Sequence, residues 1–304
     1  MTPRWLLAAL LFGGGCREGP PPPAFDGRAA LAYAARQVQF GPRVPGTEGH
    51  RLMGEWLDSL LTARADTLVV QAFDHVTLRG DTLPMRNFLA RFRPEAEDRV
   101  LLLAHWDTRP RADAAGSRDS TAPVPGANDG GSGVAVLLGV ADAIAAAAGG
   151  PPRGVDLLLV DGEDYGVFAD SADVLIGSTW FSRHLPPGPR PRYAVLLDLV
   201  GAPNPRFAQE GYSLTGAPDV VRTVWEIAER LGHGAMFPTE GGIPVKDDHL
   251  PLQHAGIPAV DVIDVRFLGG AIWHTPDDTP DKLSQATLQA VGEVMLALLW
   301  EPAR

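Results

Sequence analysis

The sequence predicts a three-layer α/β/α sandwich built around a central mixed, mostly parallel β-sheet. The first observation is that the runs 100–103 and 155–160 are almost entirely apolar, as expected of strands covered on both faces. The second is that such runs alternate with segments whose apolar residues recur at helical spacing. The third is size: 304 residues, 45% of them hydrophobic, can bury a full core in one domain.

The elements follow from the periodicity of the apolar residues. Before the alternating part, the pattern predicts helices over 29–38 and 52–61 and strands over 67–73 and 87–92. Further along, it predicts strands over 100–104, 155–160, 193–197 and 259–263, and helices over 133–148, 177–185, 218–231 and 283–300. Open α/β sheets bind ligands beyond the carboxyl ends of their strands. Polar residues that directly follow these strands are therefore the candidate functional residues.

The N-terminus has the features of an export signal. Arg4 precedes an apolar stretch over 5–12 that is too short to span a bilayer, and Cys16 follows three glycines. Cys16 resembles the acylated cysteine of bacterial lipoproteins, although Gly13 stands where such signals usually have leucine; an ordinary signal peptide is the alternative. We expect residues 1–16 to be a lipoprotein signal, 17–25 a Pro-rich tether and 26–304 one catalytic domain, anchored in the periplasm or cell envelope.

Charge and cysteine content exclude several classes of protein. The formal net charge of −11 and the isoelectric point near 5.1 argue against a nucleic-acid partner, because such proteins carry a basic binding face. We expect membrane contact only through the N-terminal lipid anchor. Because Cys16 is the only cysteine, the mature domain has no intrachain disulfide.

Acidic and histidine residues follow the predicted strands. His105 and Asp107 come after the first apolar strand, and residues two apart in an extended segment point the same way. Asp129 lies in a Gly-rich turn before a predicted helix. Taken singly, the histidine also suits a structural role and the aspartate a helix cap.

The strongest local signal is the pair Glu163 and Asp164 after the second apolar strand, although a solvated acidic turn is an alternative. Adjacent side chains diverge, so one carboxylate can bind a metal ion while the other acts as a general base. Asp198 has the same placement one strand later, and His274 follows Trp273 in a loop. Asp129, Asp164 and His274 together offer three ligands and leave a fourth position open, as in a catalytic zinc site.

The series of motifs resembles the glutaminyl-peptide cyclotransferases, in particular the bacterial branch related to the animal enzymes, within the zinc aminopeptidase superfamily. The resemblance runs in order from about residue 26 to the C-terminus. It rests on 105–110 (HWDTRP), 126–129 (GAND), 163–166 (EDYG), 197–201 (LDLVG), 210–213 (EGYS), 247–249 (DDH) and 273–275 (WHT). It implies a zinc-aminopeptidase-like fold.

The two families imply different uses of the same residues. In the cyclase pattern, one zinc is bound by Asp129, Asp164 and His274, and His105 and Asp198 are unligated neighbours. In the aminopeptidase pattern, two zincs are bound by the same five residues, with Asp129 bridging and Glu163 activating a water molecule. His105, Asp107 and Asp198 are therefore candidates for a second metal or for residues behind the first.

Three local features favour the cyclase. Aminopeptidases typically have Ser-Asp-His where this chain has Asp247-Asp248-His249; Trp273 precedes the ligand histidine as it does in cyclases; and residues 201–205 (GAPNP) resemble the animal cyclases. The animal enzymes have Glu-Glu in place of Glu163-Asp164, but the bacterial branch shares the aspartate. The alternative is a two-metal aminopeptidase.

The resemblance also implies roles in cyclising an N-terminal glutamine of a peptide or protein to pyroglutamate. Glu163 is expected to move the proton, and Asp198 and Asp247 to form a hydrogen-bonded acidic pair that holds the substrate amine. Trp273, Phe267 and Phe168 are expected to enclose the glutamine methylenes. A non-catalytic binding lipoprotein on the same fold is disfavoured, because none of the expected ligands has been lost.

Overall fold

The computed structural model describes residues 21–115 and 117–301. The predicted signal peptide and Cys16 lie outside these residues. Phe25, which we assigned to the tether, is buried in the core at 5% exposure, so the tether ends before it. Its ring lies against Gly139 and Gly292, where a Cβ at Gly292 would stand 2.4 Å from it. Within the described ranges, no helix has the length and apolar character needed to cross a membrane.

The centre of the molecule is a six-stranded mixed sheet, which confirms the predicted fold class. Its strands are β1 (Thr67–Val76), β2 (Thr82–Phe92), β3 (Arg99–His105), β4 (Gly154–Val160), β5 (Ala194–Asp198) and β6 (Ala259–Ile263). They lie in the order β1-β2-β4-β3-β5-β6. The pairings along β4-β3-β5-β6 are parallel, whereas β2 pairs antiparallel with both β1 and β4.

The helices agree with the predicted positions to within a few residues. They are α1 (Gly27–Gln39), α2 (Glu48–Thr62), α3 (Gly131–Ala146), α4 (Ile176–Arg183), α5 (Gly211–Gly216), α6 (Pro218–Arg230), α7 (His249–His254) and α8 (Gln285–Trp300). Two 3₁₀ turns cover Val265–Phe267 and Pro280–Lys282. The sequence did not predict α5 and α7, because six residues are too few for a helical period to be recognised.

Strand β3 illustrates why the central strands are apolar along their whole length. Leu102 and Ala104 face the larger core, to which α1, α2, α3, α6 and α8 contribute. Leu101 and Leu103 face the opposite core, which contains residues of α4 and α7. Since successive side chains point to opposite faces of a strand, a sheet covered on both sides buries all of them. Helices cover both faces, and polar side chains gather at the strand ends.

Candidate active site

The carboxyl ends of the parallel strands carry the predicted site residues. His105 is the last residue of β3, Asp198 is the last residue of β5, and Asp161 to Asp164 follow β4 directly. Because β4, β3 and β5 are neighbours and parallel, these residues lie at one edge of the sheet, as we expected. The apolar strands thus end at the same edge of the sheet, and the polar residues that follow them form the site.

Asp129 reaches this edge through a tightly held loop. Gly130 has a φ of +68°, and a Cβ there would stand 2.7 Å from the His105 ring, so a side chain would strain the turn and collide with the imidazole. The carboxylate of Asp278 accepts hydrogen bonds from the backbone N–H groups of Asn128 and Asp129 at 2.8 and 3.0 Å. Buried Arg43 donates to the carbonyls of Pro125 and Gly126. Motif analysis missed both Arg43 and Asp278, although Asp278 lies four residues beyond His274.

His274 lies in the loop between the two 3₁₀ turns and contributes its ring to the site. Its φ of +53° lies in the left-handed region, which residues other than glycine adopt only when their surroundings impose it. Its ring stacks on Trp273 with the ring centroids 3.6 Å apart. Its Nδ1 lies 3.2 Å from a carboxylate oxygen of Asp113, so Nε2 is the nitrogen that faces the site.

Asp129, Asp164 and His274 form a cluster in which a metal ion fits. One ligand atom from each lies within 4.8 Å of the others; His274 Nε2 is 3.6 Å from Asp129 Oδ2 and 3.4 Å from Asp164 Oδ1. Oδ2 of Asp129 and Oδ2 of Asp164 are buried and accept no hydrogen bond from any described residue. Unpaired buried carboxylate oxygens are unfavourable unless a cation neutralises them. One imidazole and two carboxylates are a donor set typical of zinc.

A second cluster shares Asp129 with the first. It consists of His105, Asp129 and Asp198, with His105 Nε2 at 3.2 Å from an Asp129 oxygen and 3.3 Å from an Asp198 oxygen. Neither ring nitrogen of His105 makes a well-directed hydrogen bond within the described part of the chain. Asp129 is therefore placed to bridge two metal ions, so the geometry suits one metal ion or two.

Asp107 lies behind these clusters. Its two carboxylate oxygens accept hydrogen bonds from the backbone N–H groups of Glu163 and Asp164, at 3.1 and 3.2 Å. One of them also lies 3.4 Å from His105 Nδ1. Because both oxygens already have partners, the position of Asp107 suits a role in orienting Glu163, Asp164 and His105.

Glu163 is buried beside the clusters, with 6% of its surface exposed. Burial raises the pKa of the Glu163 carboxyl well above its ordinary value; His105 opposes this effect, and the nearby Asp247 and Asp164 add to it. The carboxyl lies 3.9 Å from His105 Nδ1. A carboxylate with a raised pKa is a stronger base than an ordinary one, and a pKa nearer to the working pH lets the group both accept and return a proton.

A group of buried acids stands next to Glu163. Burial and the charge of Asp198 raise the pKa of Asp247 well above its ordinary value. A second buried carboxyl, that of Asp261 on β6, lies close enough to Asp247 for the two charges to repel each other, and the pairing of Asp247 with Asp198 stays a prediction. Burial and the charge of Asp247 raise the pKa of Asp261 as well, and neither oxygen of Asp261 has a hydrogen-bond partner among the described residues. Sequence analysis missed Asp261, whose signal was a charge inside an otherwise apolar strand.

A cavity of about 270 Å³ opens onto the metal cluster. Its polar wall contains Asp129, Glu163, Asp164, Asp198, Asp247 and His274. Its apolar wall includes Phe168, Ile243, Ile263, Leu268 and Trp273. Phe168 and Trp273 thus lie where we expect substrate-binding residues. Phe267 is not among the described residues that line the cavity; Leu268, which follows the 3₁₀ turn ending at Phe267, takes that position.

The chain is similar in sequence and structure to proteins of known family. The sequence pattern of Peptidase family M28 matches residues 87–299. A glutaminyl cyclase from Bacteroides thetaiotaomicron, solved with N-acetylhistamine bound, superposes with a TM-score of 0.88 and 37% identity, covering 93% of this chain and 100% of that one. A Zn-dependent exopeptidase from Parabacteroides distasonis ATCC 8503 gives 0.87 and 34%, covering 93% and 100%. A glutaminyl-peptide cyclotransferase from Drosophila melanogaster is 26% identical over 81% of this chain and 73% of its own length.

Proposed function

Because this chain belongs to peptidase family M28, we propose that it is a zinc-dependent glutaminyl-peptide cyclotransferase. It converts the N-terminal glutamine of peptides or proteins to pyroglutamate and releases ammonia. The observation that carries this function is the small cavity in which Trp273 and Phe168 face Glu163 and the metal cluster. The 37% identity to a glutaminyl cyclase of the same fold supports it.

We assign one zinc ion to Asp129, Asp164 and His274, with His105 and Asp198 as unligated neighbours. When bound, zinc supplies a Lewis acid for the side-chain amide carbonyl of the substrate. The buried, unpaired oxygens of Asp129 and Asp164 and the Nε2 of His274 support this ligand set. The ligand set leaves a coordination position for the substrate, as catalytic zinc sites do.

Glu163 is the residue that moves the proton. The α-amine of the substrate attacks its own side-chain amide carbon, so a new carbon–nitrogen bond forms and the bond to the departing nitrogen breaks. Glu163 accepts the proton that the amine loses and returns it to the leaving group, which departs as ammonia. Because the substrate amine is the nucleophile, the reaction needs no attacking water. The raised pKa of Glu163 suits both halves of this transfer.

Asp198 and Asp247 hold the substrate amine next to Glu163. Both line the cavity, and their mutual repulsion in a buried site favours a proton on one member of the acidic group. Asp261, whose pKa is raised by burial and by the charge of Asp247, is a further member of this group that can hold the proton. When one carboxyl of this group is protonated and neutral, the negative charge on the other carboxylates can bind the substrate amine.

Trp273 and Phe168 enclose the methylene groups of the glutamine side chain. The cavity, at about 270 Å³, is at or below the low end of the roughly 300–1,000 Å³ of typical ligand pockets. A cavity of this size suits one side chain better than an extended peptide. We therefore assign recognition to the N-terminal residue, with the rest of the peptide outside the cavity.

The second candidate is a two-metal aminopeptidase of the same family. The cluster of His105, Asp129 and Asp198 favours it, because a second ion there would share Asp129 with the first. In that case Glu163 would take a proton from water instead of from the substrate amine. The exopeptidase of the same fold supports keeping this alternative.

The two functions differ in the bond that breaks, so paired dipeptide amides distinguish them. We expect the Gln-initiated dipeptide amide to lose ammonia, detected by release and by the mass change, with its peptide bond intact. A Leu-initiated one is expected to stay uncleaved, and the same sample to hold about one zinc ion per chain. Release of free leucine together with about two zinc ions would establish the aminopeptidase instead.

We also propose that the protein is exported and anchored to the cell envelope through Cys16, the predicted acylation site. This anchor would be its only contact with a membrane. We expect cells that express the full chain to incorporate a labelled fatty acid into it, and Cys16→Ser to abolish the label and release an active protein from the membrane fraction. An unlabelled parent chain would exclude the lipid anchor.

A further inference from the structure

We infer that Arg109 and Asp113 are positioning residues that fix two ligands of the metal cluster, one on each side of it. We call the segment 109–114 the strap. The inference rests on the zinc site of the proposed function, but it does not depend on which reaction the zinc supports. It concerns residues outside every group considered so far as a ligand, proton carrier or substrate contact.

The guanidinium of Arg109 joins two carboxylates. Its Nη1 donates to Asp164 Oδ1 at 2.6 Å and to the Asp164 carbonyl at 3.2 Å. Its Nε and Nη2 donate to the two oxygens of Asp113, each at 2.7 Å. Arg109 is buried at 6% exposure, so its charge-assisted bond to the buried Asp164 is shielded from water, whereas the side chain of Asp113 is partly exposed. One arginine therefore fixes both the ligand Asp164 and the side chain of Asp113.

Asp113 in turn fixes the ligand His274. Its Oδ1, already bound to Arg109, lies 3.2 Å from His274 Nδ1. The backbone N–H of Ala114 also donates to the carbonyl of His274, at 3.4 Å. His274 has a φ of +53°, which requires support from its surroundings. The strap thus contacts this strained residue at its ring and at its backbone.

The strap is itself tied to the rest of the molecule. The N–H of Val124 donates to the carbonyl of Arg109 at 3.0 Å, and the N–H of Ala112 donates to the carbonyl of Ala122 at 2.7 Å. These bonds pair the strap with the segment that leads into the Asp129 loop. The backbone on both sides of Asp113 is therefore held by hydrogen bonds that do not involve an ion.

Such an arrangement has two physical consequences. A carboxylate that accepts a proton from Nδ1 selects the tautomer in which Nε2 is free to bind a metal, and it increases the basicity of that nitrogen. A guanidinium bonded to one oxygen of Asp164 leaves the other oxygen, Oδ2, without a hydrogen-bond partner and so available to an ion. Loss of such outer partners lowers metal affinity by roughly 10–100-fold in other proteins.

The test measures zinc affinity, by competition with a chelator, on the otherwise intact chain. We expect Asp113→Ala to weaken zinc binding by about 10–100-fold, and Asp113→Asn by less, since the amide oxygen still accepts from Nδ1–H but carries no charge. Arg109→Lys is a second variant; it keeps the positive charge but loses the planar guanidinium that donates to both Asp113 and Asp164. Asp119→Ala is the matched control, because Asp119 is exposed on the same loop and its carboxylate accepts hydrogen bonds from Thr121, which is not part of the strap.

A second measurement separates positioning from general stability. The metal-free forms of Asp113→Ala and Asp119→Ala are expected to unfold at similar temperatures, while only Asp113→Ala and Arg109→Lys lose zinc affinity. Zinc affinity within twofold of the parent in both of these variants would overturn the inference and leave the cyclase function standing. If these variants bind zinc more weakly but the parent shows aminopeptidase activity, the inference stands and the cyclase function is wrong. A parent chain that binds no zinc would overturn both.

Discussion

Replacing Glu163 with glutamine is expected to lower the turnover of an N-terminal glutamine substrate by on the order of a hundredfold or more. The amide is almost the same size as the carboxyl but cannot accept a proton from the attacking amine. Glu163 is not one of the three assigned ligands, and Asp107 holds its backbone N–H. We therefore expect zinc content and the unfolding temperature of Glu163→Gln to match those of the parent.

Steady-state kinetics with a Gln-initiated dipeptide amide, with zinc determined on the same sample, checks this prediction. Glu226→Gln is a matched control, since Glu226 is exposed on α6 away from the cavity, and it should turn over at the parental rate. Near-normal turnover in Glu163→Gln would remove Glu163 from the proton-transfer role. Loss of zinc from the variant would show instead that the glutamate supports the metal site.

Replacing His274 with alanine is expected to release zinc and, with it, all measurable cyclisation. His274 is the only imidazole in its cluster, and its Nε2 faces both Asp129 and Asp164. Removal of a ligand should weaken binding by more than the roughly 10–100-fold that follows loss of an outer partner. Two carboxylates alone are a poor donor set for zinc, which in catalytic sites usually has three protein ligands.

The measurement is the metal content of dialysed protein, together with turnover before and after zinc is added back. His254→Ala is the control, because His254 is exposed at the end of α7, and it should keep the parental zinc content. Unchanged metal content in His274→Ala would contradict the ligand assignment.

The fold class follows from the sequence because its signal is local. Runs such as 100–103 are apolar throughout, and only a strand covered on both faces is expected to bury every one of its side chains. The order of the strands has no such signal. β4 lies between β2 and β3 through pairings distant in the chain, and no periodicity records which strand is the neighbour of which.

The sequence by itself also determined which residues reach the site. His105, Asp164 and Asp198 are found by pattern, because parallel strands end at the same edge of a sheet and the polar residues that end or closely follow them lie there. Asp129 and His274 lie in loops; a Gly-rich turn before a helix and a histidine beside a tryptophan marked them as candidate ligands, and the resemblance to a known family added support.

Only the tertiary structure decided how these residues are held. Asp113 contacts a ligand 161 residues away in the chain, and the buried carboxyl of Asp261 lies near enough to Asp247 to feel its charge. It also placed Leu268 in the cavity wall where we expected Phe267. The physical reason is that the direction of a side chain in a turn or loop depends on backbone angles and on packing against distant segments. In a strand, the position of a residue alone fixes the direction of its side chain. In the loops around this site, that direction is known only from the folded structure.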